Sequence, residues 1–127
     1  MQVPDQVVDK QDDYYREFDR RIRRHLRTLV SDAVIEEHRD KPLGQHSDAL
    51  DRLLNYFRRG GMAGKLGILR EGATDAPHYR IVRFSGTRGV PSEIVADSTY
   101  ASLDAAYHAV FLRRCAALMD ESEPAKS

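Results

Sequence analysis

"DAAYHAVFLRRCAALM", residues 104–119, decides how the rest of this 127-residue chain is read. Laid out at ~100° per residue, Leu103, Ala106, Tyr107, Val110, Phe111 and Leu118 form one broad apolar face, with Arg114 in its middle. His108, Leu112, Cys115 and Met119 form a second stripe, and only Asp104, Arg113 and a run of alanines separate the two. A helix that is apolar nearly all round is a buried helix. Two arrangements satisfy this one. It is either a central helix, wrapped by other elements of its own chain with Arg114 snorkelling outward, or a helix with one face on its own core and one on another chain. In the second arrangement the arginines pair across the junction.

The elements before it follow from local signals. Tyr14, Phe18, Ile22, Leu26 and Leu29 fall on one stripe and predict an amphipathic first helix starting near Asp12. Ser31 and Asp32 are cap candidates for a short second helix, "DAVIEEHRD", which Pro42 and Gly44 end. Ser47 precedes a third, "DALDRLLNYFRR", stopped by Gly60 and Gly61. The period then changes. "KLGILRE" and "HYRIVRF", joined by "GATDAP", predict a β-hairpin over about residues 64–84. "SGTRGVPSEIVADSTY" reads as a loop with room for one helical turn after Pro91, and Ser102 caps the last helix. The expected fold is therefore mainly α (α+β): about four helices, with one small hairpin between the third and the last. It forms a single domain over residues 12–120, between disordered or extended tails at 1–11 and 121–127.

Charge and cysteine usage narrow the functional classes. Lys+Arg and Asp+Glu number 20 each, which argues against general binding to nucleic acid or anionic membranes. One cysteine, Cys115, excludes an internal disulfide and fits a reducing compartment. Arg113 and Arg114 interrupt the most apolar segment, so no membrane span is expected, and the expected location is the cytoplasm.

Chemistry-bearing motifs are thin. "RRIRRHLR" places Arg20, Arg21, Arg23, Arg24 and Arg27 opposite the first helix's apolar stripe. Such a face would suit an independent helical module binding nucleic-acid phosphates or another protein, while the interleaved Asp13, Glu17 and Asp19 favour a solvated or ion-paired face. "GGMAGK", residues 60–65, is one residue short of a phosphate loop, has Leu66 in place of Ser or Thr, and has no helix after it. It reads as a flexible turn. His38 and His46 flank a proline-broken loop without the short-spaced ligand pair of a metal site, so structural or capping roles are expected. Cys115 sits in an apolar helix as a small hydrophobe, and Ser85 and Ser92 lack an evident His–Asp arrangement. No constellation carries a reaction, so no catalytic, metal-binding or cofactor-binding residue is assigned. "NYFRR", residues 55–59, instead has the composition of an interface anchor, Tyr and Phe beside two arginines.

Taken in order, the motifs resemble a known family. "IEEH" (35–38), "PLG" (42–44), "NYFR" (55–58), "GK" (64–65), "YRI" (79–81) and "HAVFLRR" (108–114) are similar to elements of the small (alpha) subunit of N,N-dimethylformamidase and its relatives, across about residues 34–120. The arginine-rich first helix and the turn "REGATDAP" depart from that pattern. The resemblance implies a non-catalytic, mainly helical partner chain. A much larger subunit would hold the active site, a mononuclear iron bound by tyrosines and a carboxylate, and would hydrolyse a small amide. Candidate residues at the junction are Tyr56, Phe57, Arg58, Tyr79, Arg80, His108, Phe111, Arg113 and Arg114.

Overall fold

Helices cap and strands pair here largely where the local chemistry directs. In the computed structural model, described for residues 3–59, 65–95 and 98–120 with first-helix side chains from residue 13, the order is α1 (Val3–Arg27), α2 (Asp32–Asp40), α3 (Asp48–Phe57), β1 (Leu66–Ala73), β2 (Ala76–Arg83), β3 (Glu93–Ile94) and α4 (Leu103–Asp120). The structure is four helices with a three-stranded antiparallel sheet in the order β1-β2-β3. The tail at 121–127 and the turn at 60–64 lie outside the described residues.

Each capping serine does what its position predicts. Ser31 Oγ accepts from Val34 N–H at 3.2 Å, Ser47 Oγ from Leu50 N–H at 3.3 Å, and Ser102 Oγ from Ala105 N–H at 3.1 Å. The Ser47 cap is also tied to α2, because the Glu37 carboxylate accepts from Ser47 N–H at 2.6 Å and from its hydroxyl at 2.7 Å. Those two bonds hold the Glu37 carboxyl below its usual range.

β1 and β2 form the expected hairpin, with Ile68 opposite Ile81 and a tight turn at Thr74–Asp75. Gly72 has φ +91°, where a Cβ would be strained and would meet His78 Nδ1 at 2.9 Å and Ala76 O at 3.0 Å.

Three expectations are corrected. α1 begins at Val3 rather than near Asp12, so the backbone from residue 3 to 11 is helix and not an extended tail. Its apolar stripe is buried only toward its end: Leu26 is buried, with Ile22 and Leu29 against the core, whereas Tyr14 and Phe18 stay exposed. After Pro91 comes β3 instead of a helical turn. Ile94 pairs with Val82, and a further bridge joins Tyr79 and Tyr100. The hairpin's unpaired edge recruits this segment because exposed backbone donors and acceptors seek partners.

α4 is the element that the others share. On one side Phe111, Cys115 and Leu118 join Leu26, Val34, Leu50 and Leu53 of the three preceding helices in one cluster. On the other, Tyr107 and Val110 face Leu66, Ile68 and Tyr79 across the sheet, and the buried Ile81 lies on that same sheet face by strand alternation. Leu50, Leu53 and Ile81 are fully buried, each worth ~1.5–3 kcal/mol of transfer free energy. The two proposed stripes of α4 thus resolve into one wide buried arc. Of the second stripe only His108 and Cys115 turn inward, while Leu112 and Met119 remain 39% and 44% exposed beside Ala105 and Ala116.

Candidate subunit interface

His38 follows Val34 by one turn on the buried side of α2, which carries its ring into the core at 3% exposure. There it stacks on Phe111, with ring centroids 4.1 Å apart and planes 11° apart. Its Nδ1 lies 2.9 Å from Nδ1 of His108 on α4. One ring must donate and the other accept, so at least the accepting imidazole is neutral in this contact. Burial first, then the His108 and His46 rings, push His38 down to about 4. Burial and the Arg39 guanidinium lower His108 too, against the opposing pull of Glu36. His46 closes the loop behind the pair, its Nε2–H donating to the Lys41 carbonyl at 2.6 Å.

This cluster ties α2 and the loop after it to α4. Among the described residues, no group of three or more His, Cys, Asp and Glu is placed to hold a metal ion. Cys115 is a buried free thiol pushed up to about 11 by burial, so it stays protonated and inert near neutrality.

Four of the six α1 arginines are neutralised within their own helix. Arg16 pairs with Asp13, Arg20 and Arg21 pair with Glu17, and Arg23 pairs with Asp19. Arg27 reaches the Leu118 carbonyl at 3.5 Å. This is the ion-paired face that the interleaved acids predict.

Of the nine junction candidates, several turn out to be built into the chain's own fold. Phe57 packs edge-on to Phe111 at 6.1 Å. Tyr56 donates its hydroxyl proton to Asp19 at 3.0 Å, and burial raises its pKa. Tyr79 is held by a pair of 2.9 Å backbone bonds to Tyr100. Arg80, on the opposite face of β2, pairs with Glu71 at 3.0 Å. His108 belongs to the buried pair.

The arginine end is different. Arg114 is half-buried and donates from Nη2 to the Leu66 carbonyl of β1 at 3.2 Å; burial and the nearby Arg58 lower its pKa. It therefore meets a carbonyl from outside its helix, as expected of an arginine planted in an apolar face, but the carbonyl is on this chain. Arg113 is exposed beside it. Lys65 Nζ donates to the carbonyls of Arg58 and Arg59 at 2.7 and 3.4 Å, capping the negative end of α3. Lys65, Arg83 from the end of β2, Arg113 and Arg114 surround a cleft of about 370 Å3 floored by Leu66, Ala116 and Ala117. Among the described residues none of these four cations, nor Arg58 or Arg59, has a carboxylate at ion-pair distance.

Sequence reasoning picked out Arg113 and Arg114 but missed Lys65 and Arg83. The signal for the group was present in part: neither Arg113 nor Arg114 has an acidic residue three or four positions away, in contrast to the paired arginines of α1.

Comparison with known proteins agrees with the ordered motifs. The family described as N,N-dimethylformamidase alpha subunit matches residues 13–125. One curated relative, the N,N-dimethylformamidase alpha subunit of Paracoccus aminophilus, is 30% identical over 128 residues, spanning 97% of this chain and 88% of the relative. The matched region takes in α1 from residue 13, so the arginine-rich helix that the motif reading left aside lies inside the likeness. The chain belongs to the N,N-dimethylformamidase alpha subunit family.

Proposed function

We propose that this chain is a non-catalytic small subunit that packs on and stabilises a large, iron-containing catalytic subunit of a dimethylformamidase-type amide hydrolase in the cytoplasm. The observation that carries this reading is the family match running almost end to end, over residues 13–125. Two features of the chain support it. Its inward-facing titratable groups, the His38–His108 pair and Cys115, are engaged in or enclosed by the core. Among the described residues, six of the ten exposed large apolar side chains lie on two helices: Tyr14, Tyr15 and Phe18 on α1, and Leu103, Leu112 and Met119 on α4. Exposed aromatic and methionine side chains of this kind are the material of subunit contacts. In this reading the iron and the hydrolytic groups belong to the larger chain.

Co-expression with the large subunit from the same source tests the reading. A complex that survives gel filtration and hydrolyses N,N-dimethylformamide, with iron accompanying the large chain and none in the purified small chain, is the expected result. Two proteins that elute separately, or amide hydrolysis by the small chain alone, would overturn it.

A further inference from the structure

Four cations from three separate segments converge on one concavity: Lys65 before β1, Arg83 at the end of β2, and Arg113 and Arg114 on α4. Gathering like charges in a partly desolvated cleft is unfavourable unless something anionic compensates. No carboxylate of the described residues does so. Seven arginines elsewhere in the chain do have a carboxylate at ion-pair distance: Arg16, Arg20, Arg21 and Arg23 of α1 use Asp13, Glu17 and Asp19, Arg39 uses Glu36, Arg52 uses Asp48, and Arg80 uses Glu71. We propose that this cleft is the seat of a carboxylate-bearing segment of the large subunit, an inference that rests on the subunit reading above.

The geometry suits that occupant. Arg114 is fixed by the Leu66 carbonyl at 3.2 Å, so part of its ordering cost is met before a partner arrives. The floor of Leu66, Ala116 and Ala117 is apolar, and Ala116 leads onto the exposed Leu112 and Met119 of α4. A contact centred here has an apolar floor rimmed by cations, and three of those cations are arginines, whose planar fork matches carboxylate geometry. Phosphates of a nucleic acid are the competing anions. Against them, the net charge is zero, and Arg20, Arg21 and Arg23 of α1, which would extend a basic track, are already paired with Glu17 and Asp19.

The test uses the co-expressed complex and measures affinity between full-length chains at several salt concentrations. Arg83→Glu with Arg113→Glu is expected to weaken binding at least about tenfold and to flatten its salt dependence. Arg88→Glu, at an exposed loop arginine that is not part of the cleft lining, should change neither. Arg114 is left intact because it holds β1. Should the double reversal lower the melting temperature, Arg83→Gln and Arg113→Gln carry the test with a smaller loss in the same direction. Wild-type complex formation with unchanged affinity and salt dependence in all cleft variants overturns the cleft while leaving the subunit reading intact. Failure of the wild-type chain to bind the large subunit overturns both. Binding of a 20-nucleotide duplex at physiological salt, abolished by the same variants, overturns the carboxylate in favour of phosphate.

Discussion

Acid should loosen the junction of α2 and α4 before it disturbs most carboxylates, and the size of the effect follows from one ring. His38 titrates near 6.5 when unfolded and is pushed down to about 4 in the fold. The unfolded chain thus binds more protons than the native one between these values, and stability rises with pH there. The contribution is fully present above pH 6.5 and is lost as pH falls toward 4. Between pH 7.5 and pH 5 the linkage relation gives a loss of about 2 kcal/mol from this residue, or roughly 10 °C in melting temperature for a domain of this size. His108 shifts in the same direction and adds to it. Glu37, lowered by its bonds to Ser47, contributes at more acid pH, so the upper window belongs to the histidines. Urea unfolding of the wild type and of His38→Phe, which keeps an aromatic ring against Phe111, checks the reasoning. The wild type should lose about 2 kcal/mol more than the variant between pH 7.5 and pH 5. Parallel stability–pH curves would refute the neutral, buried state of His38.

Other outcomes follow from packing and caps. Leu53→Ala, at a fully buried position among four helices, should cost about 2–5 kcal/mol in chemical denaturation. Ser47→Ala removes both the α3 cap and the hydroxyl donor to Glu37, leaving the backbone N–H donor, and should cost about 1–2 kcal/mol, with the Glu37 carboxyl shifting part of the way up toward its ordinary range by NMR titration. Cys115, with its thiol held up at about 11, should resist a thiol reagent at neutral pH in the native chain and react promptly in urea; rapid native labelling would contradict its burial. Tyr56→Phe removes the bond to Asp19 and should cost about 1 kcal/mol in the same denaturation assay.

What the sequence disclosed, and what it withheld, divides along local and non-local lines. α2, α3 and α4 were legible because their starts are written in three serines and their buried positions recur with helical spacing. The hairpin was legible because the apolar period changes between Phe57 and Leu66. The first turns of α1 were not, since a helix already nucleated by a packed segment extends at one hydrogen bond per residue without needing an apolar stripe. β3 was hidden because its two residues are selected by the free edge of β2, which no property of "SEIV" announces. At the candidate interface, Arg113 and Arg114 stood out as arginines without local acids. Lys65 and Arg83 became their neighbours only through the hairpin's placement. The His38–His108 contact joins positions 70 residues apart, beyond any spacing rule.

The placement of α4 has a consequence for how the chain is made. It touches α1, α2, β1 and β2, yet it follows all of them in sequence. During synthesis from the N-terminus, three helices and a hairpin emerge with Leu50, Leu53 and Ile81 still lacking the surface that covers them. Neither layer can complete its core until the last helix leaves the ribosome. Folding is then a late, concerted event in which one segment seals both layers together, and a chain stopped before residue 111 would display two unfinished apolar surfaces at once. Such a chain is an aggregation-prone species that quality control would meet before any partner subunit could.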